Sequence, residues 1–129
     1  MLILALVEIA CGNVEEAEKL QVKCLKMHRQ FHDRRMCVLG LEGMATRASA
    51  AGDYAQVMWC YGVCESARAS MGYDLCAADQ KLYESNVAAA REALGEEMAA
   101  LRWEEGRGLP LFDAVDAVLS EAEGPEEAE

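Results

Sequence analysis

Ala10-Cys11-Gly12-Asn13-Val14-Glu15-Glu16-Ala17 recurs forty residues later as Ala50-Ala51-Gly52-Asp53-Tyr54-Ala55-Gln56-Val57. Each copy runs from an apolar helix end, through a Gly-Asn or Gly-Asp turn, into a new helix with a small or apolar residue at a fixed place. Glycine reaches positive φ at little cost and so ends a helix. The Asn or Asp that follows offers a side-chain oxygen to the free N–H groups of the next one. A turn of this kind at a fixed period is the mark of stacked helix-turn-helix units. The expected fold is all-α: about seven helices arranged as an array of antiparallel pairs in a right-handed superhelix.

Working outward, the spacing predicts a largely buried helix over Leu2–Cys11 and a second from Val14 to about Phe31. The second shows Val14, Ala17, Leu20, Cys24, Met27 and Phe31 on one face. Asp33 caps a third helix ending at Ala51, with Met36, Leu39, Leu41, Met44, Ala45 and Ala48 on its buried side. Gly40 and Gly43 inside it cost helix stability, so they predict close approach by a neighbour. A fourth helix covers Tyr54 to Met71, a fifth runs from a cap at Asp79 to Leu94, and a sixth spans Glu96 to Glu105. After a turn at residues 106–110, a seventh runs from Leu111 to Ala122. The helix pairs fall at about 1–32, 33–72 and 78–107, with a capping helix at 111–122. Together they form a single domain over residues 1–120. Residues 121–129 are acidic, hold Gly124 and Pro125, and read as a disordered tail.

A net charge of −11 opposes nucleic acid and anionic membrane surfaces as partners. The apolar start, Met1 to Val7, is broken by Glu8 and is too short to span a bilayer. The six cysteines include no CxxC pair and sit mostly inside expected helices, which points to reduced core thiols in a cytoplasmic protein.

The small residues at Ala5, Ala45, Ala17, Val57, Cys24 and Cys64 fall at the helix-contact places of a tetratricopeptide unit, counting from Gly12 and Gly52. Further along come Leu41-Glu42-Gly43-Met44-Ala45, Gly52-Asp53, Gly62, Glu65, Arg68, Gly72 and Leu75. Asp79, Tyr83-Glu84 and Arg91 follow. Ala93-Leu94-Gly95-Glu96-Glu97 and Trp103-Glu104-Glu105-Gly106-Arg107-Gly108-Leu109 complete the pattern. This resembles the C-terminal tetratricopeptide-like region of bacterial ATP-dependent transcriptional regulators of the LuxR-like, MalT-like and antibiotic-regulatory-protein groups. The resemblance covers Leu41 to Leu119, about sixty per cent of the chain. It implies the fold and an interaction or sensing role. It does not carry over ATP hydrolysis or DNA binding, because GxxxxGK[ST] and a basic recognition helix are missing, and Cys76-Ala77 stands where the family often has a proline pair. The chain starts inside what would be the first helix of a repeat, as a piece of a longer regulator or a free-standing module would.

Cys24, His28 and His32 lie four apart, a spacing that can converge on zinc if a fourth ligand such as Cys64 is near. The simpler reading is a core thiol with two surface histidines, and no metal is expected. Cys60 and Cys64 read as core packing. No nucleophile–base set or phosphate cradle is present, so no enzyme and no cofactor is expected. Trp103 and Arg107 are expected to lock the sixth helix onto the fifth and to cap its last carbonyls. Asp79, Tyr83 and Arg91 are read as structural fixtures of the third pair.

The expected function is a non-catalytic protein–protein interaction module in a bacterial signalling or transcription-regulator system. Its concave groove would present Leu2, Leu6, Ile9, Leu39, Glu42, Thr46 and Ser49 to a protein or peptide. The alternative is an effector sensor that closes the same groove over a small molecule. The apolar start, with Ile3, Leu4 and Val7, lacks the polar outer face of a terminal repeat and predicts a homodimer. Sedimentation should therefore show a dimer that Ile3→Glu or Val7→Glu shifts toward monomer or aggregate.

Overall fold

A computed structural model of the protein describes residues 14–123. The positions before Val14, including Leu2, Ile3, Leu4, Leu6, Val7, Ile9 and the Gly12-Asn13 turn, lie outside the described residues, as do residues 124–129. The described chain is all-helical, with six packed helices and no strand: α1 (Val14–Gln30), α2 (Arg34–Ala51), α3 (Tyr54–Met71), α4 (Ala77–Leu94), α5 (Glu96–Arg107) and α6 (Leu111–Glu123). They correspond to the second through seventh helices expected from the sequence.

The Gly52-Asp53 device works as its chemistry demands. Gly52 sits at φ 79°, and its N–H and that of Asp53 donate to the carbonyls of Ser49 and Ala48 at 3.2 and 2.8 Å, closing the end of α2. The Asp53 carboxylate then accepts from Gln56 N at 3.4 Å, and Asp33 does the same for Met36 N at 3.1 Å. α1 ends in the same way, with His32 in the left-handed position at φ 56°. Its N–H donates to Arg29 O at 3.1 Å and that of Asp33 to His28 O at 3.0 Å. Gly95 alone joins α4 to α5, at φ 86° and ψ 153°, a region essentially closed to other residues.

Three boundaries differ from expectation, one of them being the end of α5, which runs to Arg107, two residues past Glu105. α4 begins at Ala77, so Asp79 lies in its first turn rather than at its cap, and accepts from the Cys76 thiol at 3.2 Å. Ala77 and Ala78 favour helix strongly enough to extend it backwards. α6 runs to Glu123, one residue past the expected helix end and into the stretch read as tail.

α3 is the central helix. Val57, Met58, Cys60, Tyr61, Val63, Cys64 and Ala67 are all buried, because α2, α4, α5 and α6 each pack against it. α6 turns Leu111, Ala114, Val115 and Val118 inward, at the three- and four-residue spacing of one helical face. It returns onto α1 and α2 as well as α3. Arg29 holds it there by donating from Nε and Nη2 to Asp116 at 2.8 and 3.2 Å, and its guanidinium lies 4.5 Å from the centre of the Phe112 ring.

The expected apolar face of α1 is corrected. Ala17, Gln21, Cys24 and Leu25 are buried, whereas Met27 is 39% and Phe31 77% exposed. α2 and α6 approach from a side rotated away from the Met27–Phe31 stripe. On α2, Leu39, read both as part of the buried side and as a groove residue, is 42% exposed, and Cys37 and Val38 stand in the core instead. Gly40 and Gly43 do mark a close approach, in which the neighbour is α1. A Cβ at Gly40 would stand 3.2 Å from Leu25 Cδ1, and one at Gly43 3.1 Å from Gln21 Nε2.

The tightest contact is between α3 and α5. A Cβ at Gly62 would overlap the carbonyl oxygen of Trp103 and reach 3.1 Å from Arg107 N. A Cβ at Gly106 would overlap the carbonyl oxygen of Trp59 and reach 3.1 Å from Val63 N. Each glycine Cα–H thus points at a carbonyl of the other helix, a weak hydrogen bond available only at this separation. The Trp103 carbonyl thus takes part in the contact of α5 with α3. Arg107 does not cap carbonyls; it donates to Glu65 of α3 at 2.7 Å and lies 5.1 Å from the centre of the Trp103 ring.

Gly62→Ala and Gly106→Ala should each destabilise the fold by roughly 1–3 kcal/mol or more, because backbone cannot yield to the added methyl. The double variant should cost less than the two losses added together, since the first alanine already separates the helices. Gly40→Ala meets only a flexible leucine methyl and gains helix propensity, so its unfolding midpoint in urea should hardly move.

Candidate functional site

α2 carries Leu39, Glu42, Thr46 and Ser49 along one stripe, and Thr46 of this stripe meets α4. Thr46 accepts from Asn86 Nδ2 of α4 at 3.5 Å and donates to Glu42 O at 3.3 Å. Asn86 also donates to the Tyr61 hydroxyl of α3 at 2.9 Å, and Tyr61 meets Tyr83 edge to face with ring centres 4.8 Å apart. Thr46 and Asn86 thus spend their polar groups inside the fold. Leu39, two turns before Thr46, stays exposed, as does Leu82, one turn before Asn86; both are 42% exposed.

Beneath this seam lies a buried ion pair. Glu42 Oε2 is 3.5 Å from Nη1 of Arg68 on α3. Arg68 is 7% exposed, yet its buried Nη1 has no hydrogen-bond partner among the described residues, nor has the buried hydroxyl of Tyr73 in the α3–α4 connector. Tyr73 is held from outside by Arg35, whose guanidinium carbon lies 4.6 Å from the centre of its ring. A cleft of 270 Å³ opens beside Arg68 and Tyr73, with Leu75, Tyr83, Asp74 and Glu65 among its walls.

Burial pushes the Glu42 carboxyl up to about 7; Arg68 opposes the shift and Asp79 adds to it. An ion pair ordinarily lowers a carboxylate, but one contact at 3.5 Å without a hydrogen bond repays only part of the lost hydration. The Tyr61 hydroxyl is likewise raised, chiefly by burial.

The other sequence candidates sit elsewhere. Cys24 is buried in the core, and the His32 ring lies edge-on to Phe112, 5.8 Å between centres. Among the described residues, no group of three or more histidines, cysteines and carboxylates is placed to hold a metal ion. Burial raises the Cys37 thiol to about 11 and the Cys60 thiol to about 12, so neither is a ready nucleophile. Leu2, Leu6 and Ile9 of the expected groove lie outside the described residues.

Arg68 and Tyr73 carry the site, and the sequence reading gave neither a role. The available signal was the single cationic residue of a mostly apolar helix, since a guanidinium enters such a place only with a partner. Comparison with known protein families, with curated proteins and with solved structures returned no match.

The raised Glu42 sets a pH dependence of defined sign. The folded chain holds this proton up to about pH 7, whereas the unfolded chain releases it near its ordinary value of 4.5. Glu42 therefore favours the fold fully below pH 4.5, and that contribution is lost as pH rises through 7. The full loss is at most about 3 kcal/mol, from roughly 1.4 kcal/mol for each pH unit. In urea titrations between pH 4.5 and 8, Glu42→Gln should abolish this downward slope and unfold later than the parent at pH 8.

Proposed function

We propose that the chain is a non-catalytic interaction module of tetratricopeptide-like design that binds a protein or peptide along the α2–α4 seam. The observation that carries this reading is the pair Leu39 and Leu82, each 42% exposed, flanking a seam whose polar groups are already engaged. An apolar strip over a fixed polar floor suits the apolar face of an amphipathic helix. The repeat design is supported by equal burial at positions forty apart: Ala17 and Val57, Gln21 and Tyr61, Cys24 and Cys64. The sequence resemblance to regulator C-terminal regions adds the setting, a bacterial cytoplasmic signalling or transcription system. Among the described residues no helix is long and apolar enough to cross a membrane.

The Arg68 cleft favours a second reading, an effector sensor. Its buried guanidinium and the unpaired Tyr73 hydroxyl suit a small acceptor such as a carboxylate, and 270 Å³ admits a molecule of metabolite size.

Panning a random peptide library against the folded chain should yield amphipathic helical binders. Their affinity should fall at least tenfold with Leu39→Asp or Leu82→Asp and hold with Tyr73→Phe. If small carboxylic acids instead raise the melting temperature, and Tyr73→Phe alone removes the effect, the sensor reading replaces the module. Binders indifferent to both leucines would sink the seam as the docking face.

A further inference from the structure

Six of the chain's twelve basic residues fall between positions 19 and 35, against one acidic residue, Asp33, in a protein of net charge −11. The three arginines of this stretch are committed to rings and carboxylates: Arg29 to Asp116 and Phe112, Arg34 to Phe112, and Arg35 to Tyr73. Lys19, Lys23 and Lys26 are all exposed and follow one another at i, i+4 and i+7, so they form a ridge along one side of α1. Lys19 meets Glu16 at 3.6 Å, but both side chains are more than half exposed, and such a contact yields readily to a competing carboxylate.

The ridge borders a cleft of 620 Å³ that α1 shares with the end of α6. Val22 and Ala122 give it an apolar floor, the three lysines stand around it, and Glu18 closes one side. This combination selects among anions. A nucleic-acid backbone would use the cations but gain nothing from the floor, and the remaining surface, strongly acidic, would repel a long polyanion. A helical segment with carboxylates one turn apart and an apolar residue between them satisfies both features at once.

We infer that the α1–α6 cleft docks an acidic amphipathic helix of another protein, its carboxylates on Lys19, Lys23 and Lys26 and one apolar side chain over Val22 and Ala122. This surface is separate from the α2–α4 seam and goes beyond the reading given for it. Charge steers the encounter, and the apolar floor supplies contact that salt does not screen.

The probe is a fluorescein-labelled helical peptide with Glu at i, i+4 and i+7 and Leu at i+3, titrated with the full chain and read by anisotropy. A twin peptide carries Ser for Leu, and a labelled 20-nucleotide single strand serves as the polyanion. The leucine peptide should bind at least tenfold tighter than its serine twin. The triple variant Lys19→Glu, Lys23→Glu, Lys26→Glu should weaken it at least tenfold while keeping the parental melting temperature, since all three side chains are exposed. Leu39→Asp should leave it unchanged, which separates this surface from the seam. Equal binding of the two peptides, tighter binding of the oligonucleotide, or a triple variant that binds as the parent does would each overturn the inference. So would a sedimenting dimer that the triple variant dissolves, because the occupant would then be a second copy.

Discussion

Two glycines set the spacing of this fold. Gly62 on α3 and Gly106 on α5 each lie against a carbonyl of the facing helix, so the two backbones touch without side chains between them. α3 becomes the axis on which α2, α4 and α6 also pack, and the half-buried Trp59 and Trp103 are anchored three residues before the glycines. The Arg107–Glu65 hydrogen bond at 2.7 Å joins the same pair of helices. Side chains at such a crossing would hold the helices at the usual 8–10 Å, and Arg68 and Tyr61 of α3 would then sit differently beneath the seam.

The tight axis explains why the polar groups of the seam are so deeply placed. α3 is covered nearly all round, so a charged side chain on it must be buried with a partner. Arg68 has Glu42, at 3.5 Å and without a hydrogen bond. Tyr61 has Asn86 at 2.9 Å. The better geometry belongs to the neutral pair and the poorer to the charged one, so the strain of burial collects on Glu42. That carboxyl titrates near neutral pH as a result.

The molecule also divides its surface by charge. Arginines on α1 and α2 are tied to Phe112, Asp116 and Tyr73 and help hold α6 and the α3–α4 connector in place. The lysines of α1 remain at exposed positions. The distinction follows from the side chains themselves: a planar guanidinium stacks and bonds in fixed geometry, whereas an ammonium on a flexible stem serves best as a solvated point charge.

The sequence by itself determined the helices and their count over the described residues, and their ends to within about three residues. Those depend on neighbouring residues: Gly52 for its positive φ, Asp33 and Asp53 for their capping oxygens, Gly95 for a joint closed to other residues. It also held the strongest tertiary signal. The chain's two tryptophans both stand three residues before a glycine, in Trp59-Cys60-Tyr61-Gly62 and Trp103-Glu104-Glu105-Gly106. That recurrence takes on meaning only once the two helices are seen to touch. Only the tertiary structure decided which faces are covered. Positions forty apart agree at Cys24 and Cys64 but part at Phe31, 77% exposed, and Met71, half-buried. The same local pattern serves a central helix in one copy and a flanking helix in the other. Leu39 lies outside, and Arg68 inside, for the same reason. Burial depends on how many neighbours reach a side chain, and that number is set by packing between segments far apart in the chain.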